Sequence, residues 1–265
     1  MSKVMQGNFI YINWEQVNNL VISYGVTTAD FVNGIPSVPQ RLVLIDQQNE
    51  GNQVNNHTRF QTVSGQSAAR EFLLGKSAGP KMWLDYHEVD DLDLLMPSEI
   101  AELLYMAHMK THYHLPLYSK LQNDYAYLAT TEGFVKVYYR NLRTFNHILD
   151  ISLKRHLRLL HSNRWMMFNR PFSVSDVPDD LFQQLSAVFS EGVIFAFDQA
   201  VERRRRYLIP IRLQEHPERQ NWWRDRMDVY ETSRQVATLS YDVEAKRWAL
   251  EITDETPFIE DEIDL

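Results

Sequence analysis

The sequence predicts an α+β fold in which antiparallel, hairpin-based sheets pack with about four main helices. β-Type runs occur in pairs around short turns, and apolar residues recur every three or four positions in the segments between them. Hydrophobic residues make up 44% of the 265 positions, which is enough for a packed core. Two closely packed halves are expected, residues 1–165 and 166–256, followed by an acidic mobile tail at residues 257–265.

Three strands and a helix are expected in the first part of the N-terminal half. Residues 8–14, 41–45 and 81–87 have the β-branched and aromatic composition of strands. Residues 47–65 are rich in Asn, Gln, Gly and Ser and indicate an exposed loop or hairpin. Pro97 suits the first position of a helix, which is expected to run to about residue 111.

The N-terminal half is expected to end in a hairpin and a basic amphipathic helix. Residues 125–130 and 134–140 flank Gly133, which supplies the positive φ of a tight turn. Between residues 142 and 161 an apolar stripe has helical spacing. Its members are Leu142, Phe145, Leu149, Leu153, Leu157 and Leu160. The basic residues expected on the opposite side are Arg143, His147, Lys154, Arg158 and His161.

Two more helices and a closing hairpin are expected in the C-terminal half. Ser175 and Pro178 predict the start of a helix that continues to about residue 206, with a strand at residues 207–213. A fourth helix is expected at residues 217–234. Two runs after it, residues 236–241 and 247–253, are expected to pair.

Charge is segregated along the chain, which has a formal net charge of −8. Acidic residues concentrate at positions 85–102 and 251–264, whereas basic residues dominate positions 140–170 and the run Arg203–Arg206. Such segregation favours association with a charged partner and says nothing about fold.

Several chemistries are excluded or gain no support from the residues. The absence of cysteine removes disulfides, thiol nucleophiles and Cys-ligated zinc, and it is typical of a cytoplasmic protein. The N-terminus lacks the pattern of a signal peptide, and no apolar run approaches the length of a membrane helix. Phosphate-loop, dinucleotide and serine-elbow motifs are not found. The sequence therefore predicts no catalytic residue, no cofactor and no membrane association.

Two acidic or histidine-rich segments suggest metal binding. His108 and His112 are one helical turn apart, so both could contact a cation with a carboxylate from the acidic block, as in a metal-dependent hydrolase. The competing interpretation is ordinary histidines near a helix C-terminus. The stretch from Asp85 to Asp93 offers oxygen ligands, but it lacks the spacing of a calcium loop and is better explained as a solvated acidic turn.

The basic segments have three alternative interpretations. In the first, the arginines pair with the chain's own acidic blocks. In the second they bind an acidic protein, and in the third they contact the phosphates of a nucleic acid. The net acidity argues against nucleic acid. For a protein partner, arginine and tryptophan are the residue types enriched at binding hot spots. The candidates are Arg143, Lys154, Arg158, Arg203, Arg204, Trp222 and Trp223.

Short motifs spread over most of the chain resemble the YjbA-type family of Gram-positive bacteria. They are FIYINW at residues 9–14, Gly34-Ile35-Pro36, the helix at Pro97, LQNDYAYL at residues 121–128, Phe197-Asp198-Gln199 and Arg206-Tyr207. The resemblance implies a non-enzymatic adaptor that binds the N-terminal domain of a Clp-type AAA+ unfoldase in regulated proteolysis. It implies no catalytic residue, and it does not fix the contact surface or the oligomeric state.

Overall fold

A computed structural model of the protein describes residues 8–45, 53–76, 79–107, 115–131, 133–164, 172–214, 233–254 and 257. About one third of the chain is helical and one third is in strands, and the strand pairs are antiparallel. The predicted α+β class is confirmed. No helix within these ranges is long and apolar enough to cross a membrane.

The helices and strands are numbered in chain order. The strands are β1 (Ile10–Glu15), β2 (Leu20–Tyr24), β3 (Arg41–Leu44), β4 (Gln53–Val54), β5 (Gln61–Ser64), β6 (Met82–Asp85), β7 (Tyr125–Ala129), β8 (Phe134–Tyr139), β9 (Val193–Phe195), β10 (Val201–Arg203), β11 (Arg206–Gln214), β12 (Ser233–Asp242) and β13 (Arg247–Ile252). The α-helices are α1 (Thr28–Gly34), α2 (Gln66–Leu74), α3 (Pro97–Ala107), α4 (Thr144–Arg164) and α5 (Asp179–Ser186).

The described residues form two compact units that interleave along the chain. The first takes residues from Met1–Trp14, Ser23–Val26 and Leu149–Leu265, and the second from Glu15–Ile22 and Thr27–Ile148. The sequence predicts one boundary near residue 165, whereas the first unit takes segments from both sides of it. The reason is that β1 pairs with β9, which lies almost 200 positions later in the chain. Ile10, for example, is opposite Phe195.

The second unit has the strand order β8-β7-β6-β3-β5-β4. The predicted hairpin at Gly133 is confirmed as the pair β7 and β8, and Gly133 has a φ of 88°. One side of the core is aromatic: Phe31 of α1 contacts Trp83, Tyr125 and Tyr127 edge-on. Part of the predicted loop at residues 47–65 is the small hairpin of β4 and β5, and Phe60 between them is buried.

The first unit has the strand order β1-β9-β11-β12-β13, with β10 beside β11. The predicted closing hairpin is confirmed as β12 and β13. From Leu149 onward, α4 buries the predicted stripe residues Leu149, Leu153 and Leu157. These side chains belong to the same unit as the buried strand residues Tyr207, Ile211 and Leu239.

The predicted third helix is much too long. α5 ends at Ser186, and residues up to 206 form the strands β9 and β10 with short 3-10 turns around them. Gly192 has a φ of 80°, a conformation that ends helical structure readily. Val193 and Ile194 then pair with β1 on one side and β11 on the other, both fully buried, so tertiary pairing overrides the helical spacing. The predicted helix at residues 217–234 lies outside the described residues as far as residue 232, and its last two positions belong to β12. The predicted tail lies outside the described residues beyond residue 257.

Candidate functional site

The run Arg203–Arg206 lies at the exposed tip of a hairpin. β10 pairs with the start of β11, and Arg203 is opposite Arg206, so Arg204 and Arg205 are the two central residues of the turn. We call residues 201–208 the arginine hairpin. All four arginines are exposed, whereas the next residue, Tyr207, is buried. The sequence predicts a helix end here, and a two-residue turn of arginines gives no glycine or asparagine signal that would have indicated a hairpin.

The backbone of this turn is in a conformation that arginine rarely adopts. Arg204 has a φ of 50° and Arg205 a φ of 60°. Two-residue hairpin turns with positive φ at both positions strongly favour Asn-Gly, because a side chain with a β-carbon is strained there by roughly 1–2 kcal/mol per residue. Two arginines at these positions therefore lower stability, and a strained conformation of this kind points towards a functional role.

Two of the four arginines are neutralised by the adjacent turn. Arg205 forms an ion pair with Glu244, and Arg206 one with Asp242 at 3.2 Å. Asp242 also accepts backbone N–H bonds from Ala245 and Glu244, and these bonds together with Arg206 lower its pKa. Arg203 and Arg204 form no ion pair or side-chain hydrogen bond with any residue that the structure describes. Both guanidinium groups are thus available to a partner.

The basic helix offers less free charge than its sequence suggests. His147 and Arg158 on α4 and Arg143 just before it are exposed, as expected. Lys154 is not: its side chain is only 13% exposed and its ammonium group is 2.5 Å from the carboxylates of both Asp150 and Asp176. His161 is also engaged, because its Nδ1 is 2.7 Å from the hydroxyl of Tyr207 and its ring stacks on Phe172.

The Lys154 ion pairs form a network that is buried at Asp150 and exposed at Asp176. Burial acts to lower the pKa of Lys154, but hydrogen bonds to Asp150 and Asp176 outweigh it and raise the pKa. The other oxygen of Asp150 accepts the backbone N–H of Val177 at 2.9 Å, so the network connects α4 to the segment before α5. This arrangement is structural, and it fits the interpretation in which basic residues pair with the chain's own acids.

Four predicted site residues cannot be placed. His108 and His112 of the predicted metal site, and Trp222 and Trp223 of the predicted partner surface, lie outside the described residues. The helix before the two histidines is described as far as Ala107, at the end of α3.

The acidic turn after β6 is not fully solvated, contrary to the sequence interpretation. Asp85 is 3% exposed and Asp91 is 6% exposed. The carboxylate of Asp91 accepts the backbone N–H of Glu88 at 2.7 Å, which closes the turn. That of Asp85 accepts N–H bonds from Asp124 and Tyr125, of which the shortest is 2.7 Å.

Asp85 lines a cavity of about 360 Å³ within the second unit. His87 and Asp124 line the same cavity, and one potential ligand atom from each of the three residues lies within 4.8 Å of the others. Desolvation is the largest influence on Asp85 and raises its pKa to about 6, against the lowering effect of its backbone hydrogen bonds. The sequence missed this cluster because Asp124 is 39 positions from Asp85, and only the pairing of β6 with β7 brings them together.

Comparison of the chain with protein-family models, with curated proteins and with solved structures finds no match.

Proposed function

We propose that this protein is a non-enzymatic interaction protein whose arginine hairpin binds an acidic surface of a partner protein. The observation that supports this most is the pair Arg204 and Arg205 at the two strained positions of the turn. A sequence under selection for stability alone would favour Asn-Gly at these positions. Arginine is enriched at binding hot spots because its guanidinium forms bidentate hydrogen bonds with carboxylates.

Charge favours a protein over a nucleic acid as the partner. The net charge of −8 repels a polyanion at long range, and the tip carries only four arginines against Glu244 and Asp242. The predicted basic surface loses Lys154 and His161 to internal contacts, which leaves Arg143, His147 and Arg158 of its five predicted members exposed. A compact patch suits a protein with a few well-placed carboxylates better than a phosphate backbone.

The resemblance to the YjbA-type family suggests which partner to test first. We propose the N-terminal domain of a Clp-type AAA+ unfoldase, with this protein acting as a cytoplasmic adaptor in regulated proteolysis. Exposed Val201 beside the arginines adds an apolar contact of the kind found inside a polar rim.

The test is calorimetric titration of the full chain with the isolated N-terminal domain of the unfoldase from the same organism. The wild type is expected to bind with a Kd in the micromolar range or tighter. The double substitution Arg203→Glu and Arg204→Glu is expected to weaken binding at least tenfold, because both free guanidinium groups are replaced by carboxylates.

The matched control is Arg143→Glu with Arg158→Glu, which makes the same change in net charge at one exposed position just before α4 and one on it. Binding that survives the control substitutions but not the hairpin substitutions supports the proposal. Equal weakening by both pairs would indicate a long-range charge effect and overturn the assignment to the hairpin. A wild type that does not bind the domain would overturn the proposed partner.

A further inference from the structure

We infer that Asp85, His87 and Asp124 form a binding site for a divalent transition-metal ion at the mouth of the cavity beside β6. The inference rests on the convergence of three ligand atoms on a cavity, and it is independent of the arginine hairpin and its proposed partner. It also differs from the sequence-based metal hypothesis, which uses His108 and His112.

The backbone fixes the positions of the two aspartates. β6 pairs with β7 with Leu84 opposite Ala126, so the end of one strand lies beside the start of the other. The carboxylate of Asp85 accepts hydrogen bonds from the first residue of β7 and from the residue before it. The backbone N–H of Asp124 is 3.0 and 3.1 Å from its two oxygens, and that of Tyr125 is 2.7 Å from one of them. Oδ1 of Asp85 accepts from both residues and Oδ2 from Asp124 alone, so Oδ2 keeps a lone pair for a cation.

The distances suit a small cation. Metal–ligand bonds of roughly 2.0–2.2 Å place three ligand atoms of one ion about 3–4 Å apart. The three ligand atoms of this cluster already lie within 4.8 Å of one another. Side-chain movements of about 1 Å therefore bring them to bonding distance. His87 is exposed and free to adjust, whereas Asp85 is buried and fixed.

The cavity and the local charges complete the site. A volume of about 360 Å³ leaves room for water molecules as the remaining ligands. The carboxylates of Asp85 and Asp124 belong to one cluster, and a cation between them would relieve the repulsion of their like charges. Of the basic groups nearby, Arg41 donates to the carbonyl of His87, and Arg140 donates to the carbonyl of Asn123. The Nε of Arg140 is also 3.4 Å from Oδ1 of the half-exposed Asp124, which leaves Oδ2 of Asp124 for a cation.

The ligand set identifies the class of ion. One imidazole with two carboxylates suits zinc, manganese or cobalt, whereas calcium and magnesium prefer oxygen ligands alone. Asp85 is the anchoring ligand, Asp124 the second carboxylate and His87 the residue that selects a transition metal.

The experiment is calorimetric titration of chelator-treated full-length protein with zinc ions, and separately with magnesium ions. One zinc ion per chain is expected at this site. His87→Ala and Asp124→Asn are each expected to weaken its binding at least tenfold, while zinc binds more tightly than magnesium. His147→Ala, which removes an exposed histidine from α4, is the matched control and is expected to leave this binding unchanged.

A His108→Ala, His112→Ala double variant separates the two metal hypotheses. Unchanged binding in this variant together with loss in His87→Ala supports the cluster at Asp85. The inference is overturned if the wild type takes up no zinc, or if His87→Ala and Asp124→Asn bind zinc as the wild type does. It is overturned equally if magnesium is preferred. Circular dichroism of each variant establishes that it is folded, which is expected because His87 is exposed and Asp124 half-exposed.

Discussion

Gly34 lies directly against the backbone of Ile148. A β-carbon at Gly34 would be 2.7 Å from the Cα of Ile148 and 2.9 Å from its nitrogen, both well inside van der Waals contact. The C-terminal end of α1 can approach the start of α4 this closely only because residue 34 has no side chain. Gly34 of the motif Gly34-Ile35-Pro36 therefore has a packing explanation.

Gly34→Ala is expected to lower the free energy of unfolding by about 2–3 kcal/mol, since the extra methyl group must displace backbone atoms. Urea denaturation followed by circular dichroism measures it. Adding Ile148→Ala removes the Cγ1 contact at 2.6 Å but leaves the two backbone contacts. The double variant should therefore show no rescue, and recovery of stability in it would contradict this explanation.

The sequence predicts the elements of this fold better than their partners. The hairpin at Gly133 and the closing hairpin follow from local turn chemistry, and α4 from its regular apolar stripe. The sequence predicts a helix from Gly192 to Arg203, and the structure differs because Val193 and Ile194 form a strand through pairing with distant β1 and β11. Helical spacing contains no information about such long-range pairing.

The same limit applies to the candidate sites. The arginine run was evident in the sequence, but its place at a hairpin tip depends on that misassigned region. Lys154 is one of the candidate partner-binding residues, yet Asp176, 22 positions later, neutralises it together with Asp150. Charge patterns along a chain thus identify basic residues but cannot tell which of them pair internally.

Lys154 is expected to contribute to stability and not to partner binding. Lys154→Met removes the partner of Asp150, whose side chain is 9% exposed, and leaves a buried uncompensated carboxylate. We expect the free energy of unfolding at pH 7 to fall by about 3 kcal/mol. Arg158→Met on the exposed side of the same helix is the control, with an expected change below about 0.5 kcal/mol. Equal effects of the two substitutions would show that the network has no special role.

Glu99 is expected to make stability depend on pH in the acidic range. Partial burial acts to raise the pKa of Glu99, but hydrogen bonds from Lys120 and from the backbone N–H of Met96 outweigh it and lower the pKa below 4.5. The folded state therefore binds the proton less readily than the unfolded state. The resulting stabilisation is fully present above pH 4.5 and is lost as the pH falls through the lower, folded-state pKa.

Glu99→Gln tests this directly. At pH 7 it is expected to lower the free energy of unfolding by about 0.5–1 kcal/mol, a modest value because the ion pair is partly exposed. The difference from the wild type should shrink as the pH is lowered from about 5 to about 3. Glu71→Gln at an exposed position of α2 should show no such convergence. A difference that stays constant with pH would show that the carboxylate charge is not involved.

Arg204 and Arg205 of the arginine hairpin are expected to lower the free energy of unfolding while supporting partner binding. Arg204→Asn with Arg205→Gly introduces the pair that a turn with two positive φ angles favours. Relief of backbone strain exceeds the loss of the exposed pair between Arg205 and Glu244, so the free energy of unfolding should rise by about 1 kcal/mol. Denaturation measures that gain, and titration with the unfoldase domain should show at least tenfold weaker binding.

Arg204→Lys with Arg205→Lys is the control for this prediction, because it keeps both charges and both β-carbons in the turn. It is expected to leave stability within about 0.5 kcal/mol of the wild type while weakening binding, since lysine cannot form the bidentate contact of a guanidinium. The prediction is supported if the Asn-Gly variant is more stable than the wild type and both the Asn-Gly and the Lys-Lys variants bind the partner more weakly. If the Asn-Gly variant were more stable and still bound the partner fully, the strain at Arg204 and Arg205 would have no connection with recognition.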